Sequence, residues 1–463
     1  MTNFWDYSVW GWMLVFGVLL GSLLVGNMLK RRVPGLKESL IPTSVLGGCV
    51  LLLISFIYKL ITGDVMFDAP IFNGKGTASL EVITYHALAL GFIASALKTN
   101  GGKITKERTT EIANTGITTV ATYLLQGIFG LVIGLIAAMV IQEFLPAAGV
   151  LLPFGYGQGT GQALNYGIIY ETDYGFVGGK SFGLTIAALG FLSASIGGVI
   201  HLNVLKRTGK LVKSKRCDGS THKERVETYN EIPMQESMDK LTVQIALIVV
   251  AYMAAYFIMF GLGKLLPGMR ALVYGFNFLI GVITATLLKV ILNFCYRKRI
   301  IRRKYTNNFL MTRISNFFFD LMIVSGVAAI RLDALEKYWG LMLIFGFVGA
   351  IVTYVYNRIV AKKLFPDYYE EQFLMMYGML TGTASTGTIL LREVDGDFKT
   401  PASDNMVYQN FPAIALGFPM MFLAILAATN PVLTLIIFVA FFTVLNIVLF
   451  RSKIFKKKKN KKE

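Results

Sequence analysis

Residues 149–171 read GVLLPFGYGQGTGQALNYGIIYE, and residues 371–393 read EQFLMMYGMLTGTASTGTILLRE. Both are apolar at the ends and rich in glycine and polar residues in the middle. Glycine and β-branched threonine at this density disfavour one continuous helix. Broken backbone at membrane depth is tolerated only where it is buried in protein or lines a wet cavity. The stretches 147–170 and 371–391 therefore read as re-entrant hairpins, each of two short helices with an unwound tip. The first enters from outside and the second from the cytoplasm. The competing reading is an ordinary crossing helix with packing glycines.

The sequence around them is that of a membrane protein. The chain has 463 residues, 54% hydrophobic and 16% charged, where soluble domains carry roughly 25% charged residues. A crossing helix needs about 20 largely apolar residues. Segments 10–29, 40–61, 82–98, 116–141, 181–204, 239–262, 271–294, 314–331, 339–360, 407–427 and 432–450 qualify, which predicts eleven spans. The first does not read as a signal peptide: no basic residue precedes it, and Lys30, Arg31 and Arg32 follow. Cys49, Cys217 and Cys295 suggest neither a disulfide framework nor a metal cluster.

The net charge of +18 is distributed by side. The loops 30–37, 98–108, 206–225, 297–304, 362–363 and 392–399 and the end 451–463 hold 34 Lys and Arg residues, and the alternate loops hold six. Basic loops stay cytoplasmic. The pattern predicts the N-terminus outside and the C-terminus inside. Counting either hairpin as a span would invert every later loop. The tail KIFKKKKNKKE reads as an anchor at anionic membrane lipid, not as a nucleic-acid arm.

The hairpins also resemble each other. Tyr156-Gly157-x-x-Thr160-Gly161-x-Ala163 matches Tyr377-Gly378-x-x-Thr381-Gly382-x-Ala384, and Ala188-Leu189-Gly190-Phe191 recurs as Ala415-Leu416-Gly417-Phe418. The expected fold is an all-α polytopic membrane protein of two inverted-topology five-helix repeats, each with a re-entrant hairpin. The first repeat spans 1–205 and the second 239–430. A basic cytoplasmic linker, 206–238, joins them, and 431–463 adds one extra transmembrane helix and the tail. Five spans is an odd number, so the second half starts on the opposite face, a common plan of secondary transporters.

That plan places both tips near the membrane midplane, with the second short helix of each hairpin beginning near Thr160 or Thr381. A helix start presents unpaired N–H groups and partial positive charge. It suits a carboxylate, while unwound carbonyls beside it suit sodium. The first tip offers Gln158, Gly159, Thr160, Gly161, Gln162 and Asn165. The second offers Thr381, Gly382, Thr383, Ser385 and Thr386. The alternative role for these residues is helix packing. Ionisable residues inside spans are rare and usually functional, which singles out Asp320 and, more weakly, His86. Candidate sodium ligands are Thr160, Asn165, Asp320, Thr381 and Thr383. No catalytic or nucleotide-binding motif appears, so the chain does not read as an enzyme and no cofactor is expected beyond the coupling ion.

From Ile41-Pro42-Thr43-Ser44 with Gly47-Gly48, through the paired Gly/Thr-rich hairpins to the span beyond, the chain resembles the bacterial sodium:glutamate symporters. The resemblance implies sodium-coupled uptake of glutamate by a homodimer in the bacterial cytoplasmic membrane, with substrate and ion contacts at 156–165 and 377–386. A transporter of another small carboxylate is the nearest rival. A passive channel is a rival of another class, since hairpins also build selectivity filters.

Overall fold

The computed structural model describes residues 3–38, 41–98, 106–208, 238–267, 270–395 and 400–451. The basic linker between 209 and 237, with Cys217, and the tail from 452 lie outside the described residues. Among those described, regular structure is helical. The helices are α1 (Tyr7–Arg32), α2 (Pro34–Glu38), α3 (Thr43–Thr62), α4 (Gly76–Ala96), α5 (Lys106–Val140), α6 (Leu151–Gln158), α7 (Thr160–Thr172), α8 (Gly179–Arg207) and α9 (Lys240–Leu265). They continue with α10 (Arg270–Gly275), α11 (Asn277–Arg297), α12 (Asn308–Ala328), α13 (Trp339–Leu364), α14 (Tyr369–Thr381), α15 (Ala384–Val394), α16 (Ala402–Tyr408), α17 (Asn410–Thr429) and α18 (Pro431–Leu449).

Eleven of these are long and apolar enough to cross a membrane: α1, α3, α4, α5, α8, α9, α11, α12, α13, α17 and α18. Each falls on a predicted run. Their starts follow local chemistry. Asp239 caps α9 by accepting from Leu241 N at 2.8 Å, and Asn307 caps α12 by accepting from Leu310 N at 2.8 Å. Asn430 caps α18, where Pro431 occupies the first turn without losing an intrahelical bond. Large apolar side chains such as Leu24, Ile61, Val140, Leu343 and Phe347 stand exposed along these helices. In water such continuous surface would drive association, whereas hydrocarbon accommodates it. The chain is a multi-pass helical membrane protein.

The contacts divide the chain into two compact units that cut across its halves. The first unit holds α1, α3, α4 and α9 to α12. Its centre is the packing of α4 on α12. There Ser315 donates to the Gly91 carbonyl at 2.9 Å, and the hydroxyls of Thr84 and Ser325 lie 2.8 Å apart. Small residues let the backbones approach: Gly91 lies under the Phe319 ring, and Gly48 lies against Val327. Lys289 of α11 donates to the carbonyls of Ala96 and Lys98, closing the C-terminus of α4.

The second unit holds α2, α5 to α8 and α13 to α18. The 149–171 and 371–393 stretches both lie in it, as the helix pairs α6/α7 and α14/α15. The chain enters α6 through a 3₁₀ turn at Pro146–Val150, which packs on α5 at a glycine pair. A Cβ on Gly130 would collide with the Gly149 carbonyl, and one on Gly149 with the Gly130 carbonyl. Backbone cannot yield as a flexible side chain does. Gly130→Ala should therefore destabilise by about 1–3 kcal/mol, read as a lower melting temperature of the detergent-solubilised protein. Gly17→Ala, where a Cβ meets nothing within 4 Å, should leave the melting temperature unchanged or higher.

Candidate functional site

The first pair breaks at Gly159. Its φ of 85° with ψ of −173° lies in a region that is essentially open to glycine alone. The sharp turn ends α6 at Gln158 and restarts helix at Thr160. Thr160 is fully buried, as is the Gly161 backbone; Gln162 and Asn165 are nearly so, and Gln158 is half-buried. Asn165 Nδ2 lies 3.4 Å from Gln162 Oε1, while Gln162 Nε2 is buried without a protein partner. Gly159, the N-cap of α7, has no side chain with which to cap it. A helix start beside a buried amide donor can receive an anionic group.

In the second pair the new helix starts three residues later than its sequence match suggests. Thr381 ends α14 and does not begin α15. Its hydroxyl donates to the Tyr377 carbonyl at 2.6 Å, within the last turn. Gly382 and Thr383 carry the break, and α15 starts at Ala384 with Thr383 as its cap, accepting from Thr386 N at 3.5 Å. Thr381 and Thr386 are fully buried. With its proton committed to Tyr377, the Thr381 oxygen presents lone pairs, which suits a cation. The side chain of Ser385 lies outside the described residues.

Helices α5, α8 and α13 hold these breaks. From α5, Tyr123 donates to the Gly157 carbonyl at 3.1 Å, and Gln126 Nε2 donates to the Leu380 carbonyl at 3.0 Å. Each acceptor lies two residues before the glycine of its break. Gln126 Nε2 also reaches Thr353 Oγ1 of α13 at 2.7 Å, while its Oε1 is buried and unpaired. Tyr156 donates to the Gly346 carbonyl of α13 at 2.6 Å and lies 2.9 Å from Ser193 Oγ of α8. Tyr377 donates to the Ser193 carbonyl at 3.0 Å. The two breaks meet α8 at one residue, Gly190. A Cβ there would collide with the Thr381 carbonyl and press on Tyr156.

The second unit thus brings together the candidates of both tips. Asp320 lies on α12, in the first unit. His86, also in the first unit, has its Nδ1 2.8 Å from the Tyr252 hydroxyl and packs edge-on against two tyrosines. Gln126, Thr353 and Ser193 were not singled out by sequence. The usable signal was a glutamine within an otherwise apolar run.

No model of a known protein family matches the chain, and no curated protein matches it.

Gly159→Ala should cost about 1–3 kcal/mol, the strain of a side chain in a glycine-only region. A lowered unfolding midpoint in detergent would record it. Gly382, whose φ of −139° is not left-handed, should tolerate alanine better, although the Thr386 hydroxyl must shift and the Gly378 carbonyl and Phe191 ring must each give slightly.

Proposed function

We propose that this chain is a sodium-coupled symporter that imports glutamate or a similar small anionic amino acid across the cytoplasmic membrane. The observation that carries the reading is the pair of helix breaks within one compact unit, each with buried hydroxyl or amide groups and each tied to α5 through a backbone carbonyl. The likeness of the hairpin sequences to those of sodium:glutamate symporters supplies the ion and the substrate class. Substrate carboxylate would bind at the start of α7, with Gln158, Gly159, Thr160, Gly161, Gln162 and Asn165. Sodium would bind where Thr381, Thr383 and neighbouring carbonyls offer oxygens.

On this reading the pairs α6/α7 and α14/α15 are re-entrant hairpins of two inverted repeats. The order of elements supports it: three spans, one span, a broken pair and one span occur twice, leaving α18 over. So does the unit composition, in which the first three spans of both halves form one unit and the rest form the other. The charge pattern supports an N-terminus outside and a C-terminus in the cytoplasm, and the resemblance supports a homodimer. Transport would alternate as one unit moves against the other. Each sodium entering through about 100 mV supplies roughly 2.3 kcal/mol from voltage alone.

Uptake of labelled glutamate into proteoliposomes tests the reading. Accumulation above equilibrium is expected with an inward sodium gradient and not without it. Absence of sodium-driven accumulation of any small anion overturns the symporter. Accumulation of another carboxylate in place of glutamate reassigns the substrate and keeps the mechanism. Thr160→Ala should raise the KM for substrate about tenfold or more, as expected for one hydrogen bond to a charged ligand. Thr381→Ala should instead raise the sodium concentration required for half-maximal uptake.

A further inference from the structure

At the other end of α14 lies a cluster of ionisable groups that the hairpin tips do not use. His201 of α8 is 1% exposed although it sits two turns from the end of a crossing helix. Its Nδ1 is 2.7 Å from the Tyr354 hydroxyl of α13, and its Nε2 is 2.8 Å from Glu370 Oε2 at the start of α14. Arg358 of α13 reaches the same Oε2 at 3.2 Å and lies 3.1 Å from His201 Nε2. One carboxylate oxygen is therefore shared between a histidine of α8 and an arginine of α13.

The geometry sets which protons are where. A carboxylate oxygen 2.8 Å from Nε2 requires a hydrogen on that nitrogen. Nδ1 is then the site that gains or loses a proton. In the neutral imidazole it accepts from the Tyr354 hydroxyl. In the imidazolium it donates to the Tyr354 oxygen, and that hydroxyl hydrogen turns away. A proton can enter before any heavy atom moves.

We propose that His201, held between Tyr354 and Glu370, is a proton-binding site that sets how tightly α14 is clasped to α8. The incoming proton makes the His201–Glu370 bond charge-assisted on both sides. The shared carboxylate then leans toward α8 and away from Arg358. The titratable or charged groups facing the imidazole are Tyr354 and Arg358 from α13 and Glu370 from α14; Tyr369 and Glu371 act on Glu370 from its own helix. Burial alone would raise the Glu370 carboxyl, but hydrogen bonds from His201 and Tyr369 and the Arg358 charge bring it to about 2. Its folded value is depressed, so the stability it contributes is present above its ordinary value of 4.5 and is lost only as pH falls toward 2. Glu370 stays ionised throughout the neutral range, so the group that accepts from His201 Nε2 there is a carboxylate.

The clasp is connected to the tip of its hairpin. Phe373 and Tyr377 follow Glu370 along one face of α14. The Phe373 ring lies 4.7 Å from His201 and 5.8 Å from Tyr377, whose hydroxyl bonds the Ser193 carbonyl. The end of the unit that carries this site also carries Lys206, Arg207, Lys362 and Lys363, the cytoplasmic end by the charge rule. The site goes beyond the proposed transport reading and does not depend on the substrate.

The chain has three histidines, so the double variant His86→Gln/His222→Gln leaves His201 alone with its partners intact. ¹⁵N-histidine spectra of that protein in detergent should show one imidazole titrating between pH 5 and 9. Its midpoint should move to lower pH by about one unit or more when Glu370→Gln removes the charge. Hydrogen exchange of residues 369–381 of the full chain, corrected for intrinsic pH dependence, should slow at least twofold from pH 8 to pH 6. An imidazole that does not titrate in this range overturns the proton site. Exchange that is independent of pH overturns the clasp. Both readouts are local, so they hold or fail whatever uptake assays report.

Discussion

The second unit depends on one constraint: a helix broken inside a membrane protein leaves carbonyls that must find donors within the protein. An unmet group there costs about as much as a lost hydrogen bond to a buried partner, on the order of 1–3 kcal/mol each. The chain meets this with side chains of α5. Tyr123 serves Gly157 and Gln126 serves Leu380, at the same place relative to the two breaks. One helix thereby satisfies both interruptions, and neither break can move far from α5 without uncovering a carbonyl. Gly190 of α8 is bound by the same arrangement, since any side chain there would displace the Thr381 carbonyl or Tyr156.

The tyrosines extend the constraint across the unit. Tyr156 belongs to the first pair and bonds α13, while Tyr377 belongs to the second pair and bonds α8. Each broken pair is thus tied to a helix of the other half of the chain. Ser193 joins the two ties, through its hydroxyl to Tyr156 and its carbonyl to Tyr377. A displacement of either pair is felt at that one residue. The aromatic run from Tyr377 through Phe373 to His201 carries the same connection outward to the basic end of the unit.

What was legible in the sequence follows from what the bilayer demands locally. Crossing helices were legible because about 20 apolar residues in a row have one use. The breaks were legible because glycine and threonine crowd where helix should continue. Their register was not. The match of Thr160 with Thr381 aligned the residues, but Thr381 is claimed by the last turn of α14, and Thr383 takes the role of cap. The partners of the breaks were not legible either: Gln126 and Leu380 are separated by 254 positions, and no spacing rule reaches that far. His201 and Arg358 are a different case. The rule that singled out Asp320 as an ionisable residue within a span applies equally to them. Each sits near a basic helix end, where a charge normally faces headgroups. Burial of the His201 side chain overrules that expectation.

The two tips, alike in sequence, differ in the chemistry they offer. The first has at its N-cap a glycine with no side chain to serve as cap, so α7 starts without one from Gly159, beside the unpaired Gln162 amide. The second spends a threonine side chain on its own helix start and commits the Thr381 proton to Tyr377. A helix start already served by a hydroxyl has less to offer an anion, whereas hydroxyl oxygens with committed protons have lone pairs to offer a cation. The unpaired Gln126 Oε1, on the residue that holds Leu380, adds an acceptor in the same neighbourhood. Under the proposed reading the repeat is therefore a way of placing two helix breaks in one unit. The few residues by which they differ, Gly159 against Thr383 and Gln162 against Thr386, divide the binding of anion and cation between them.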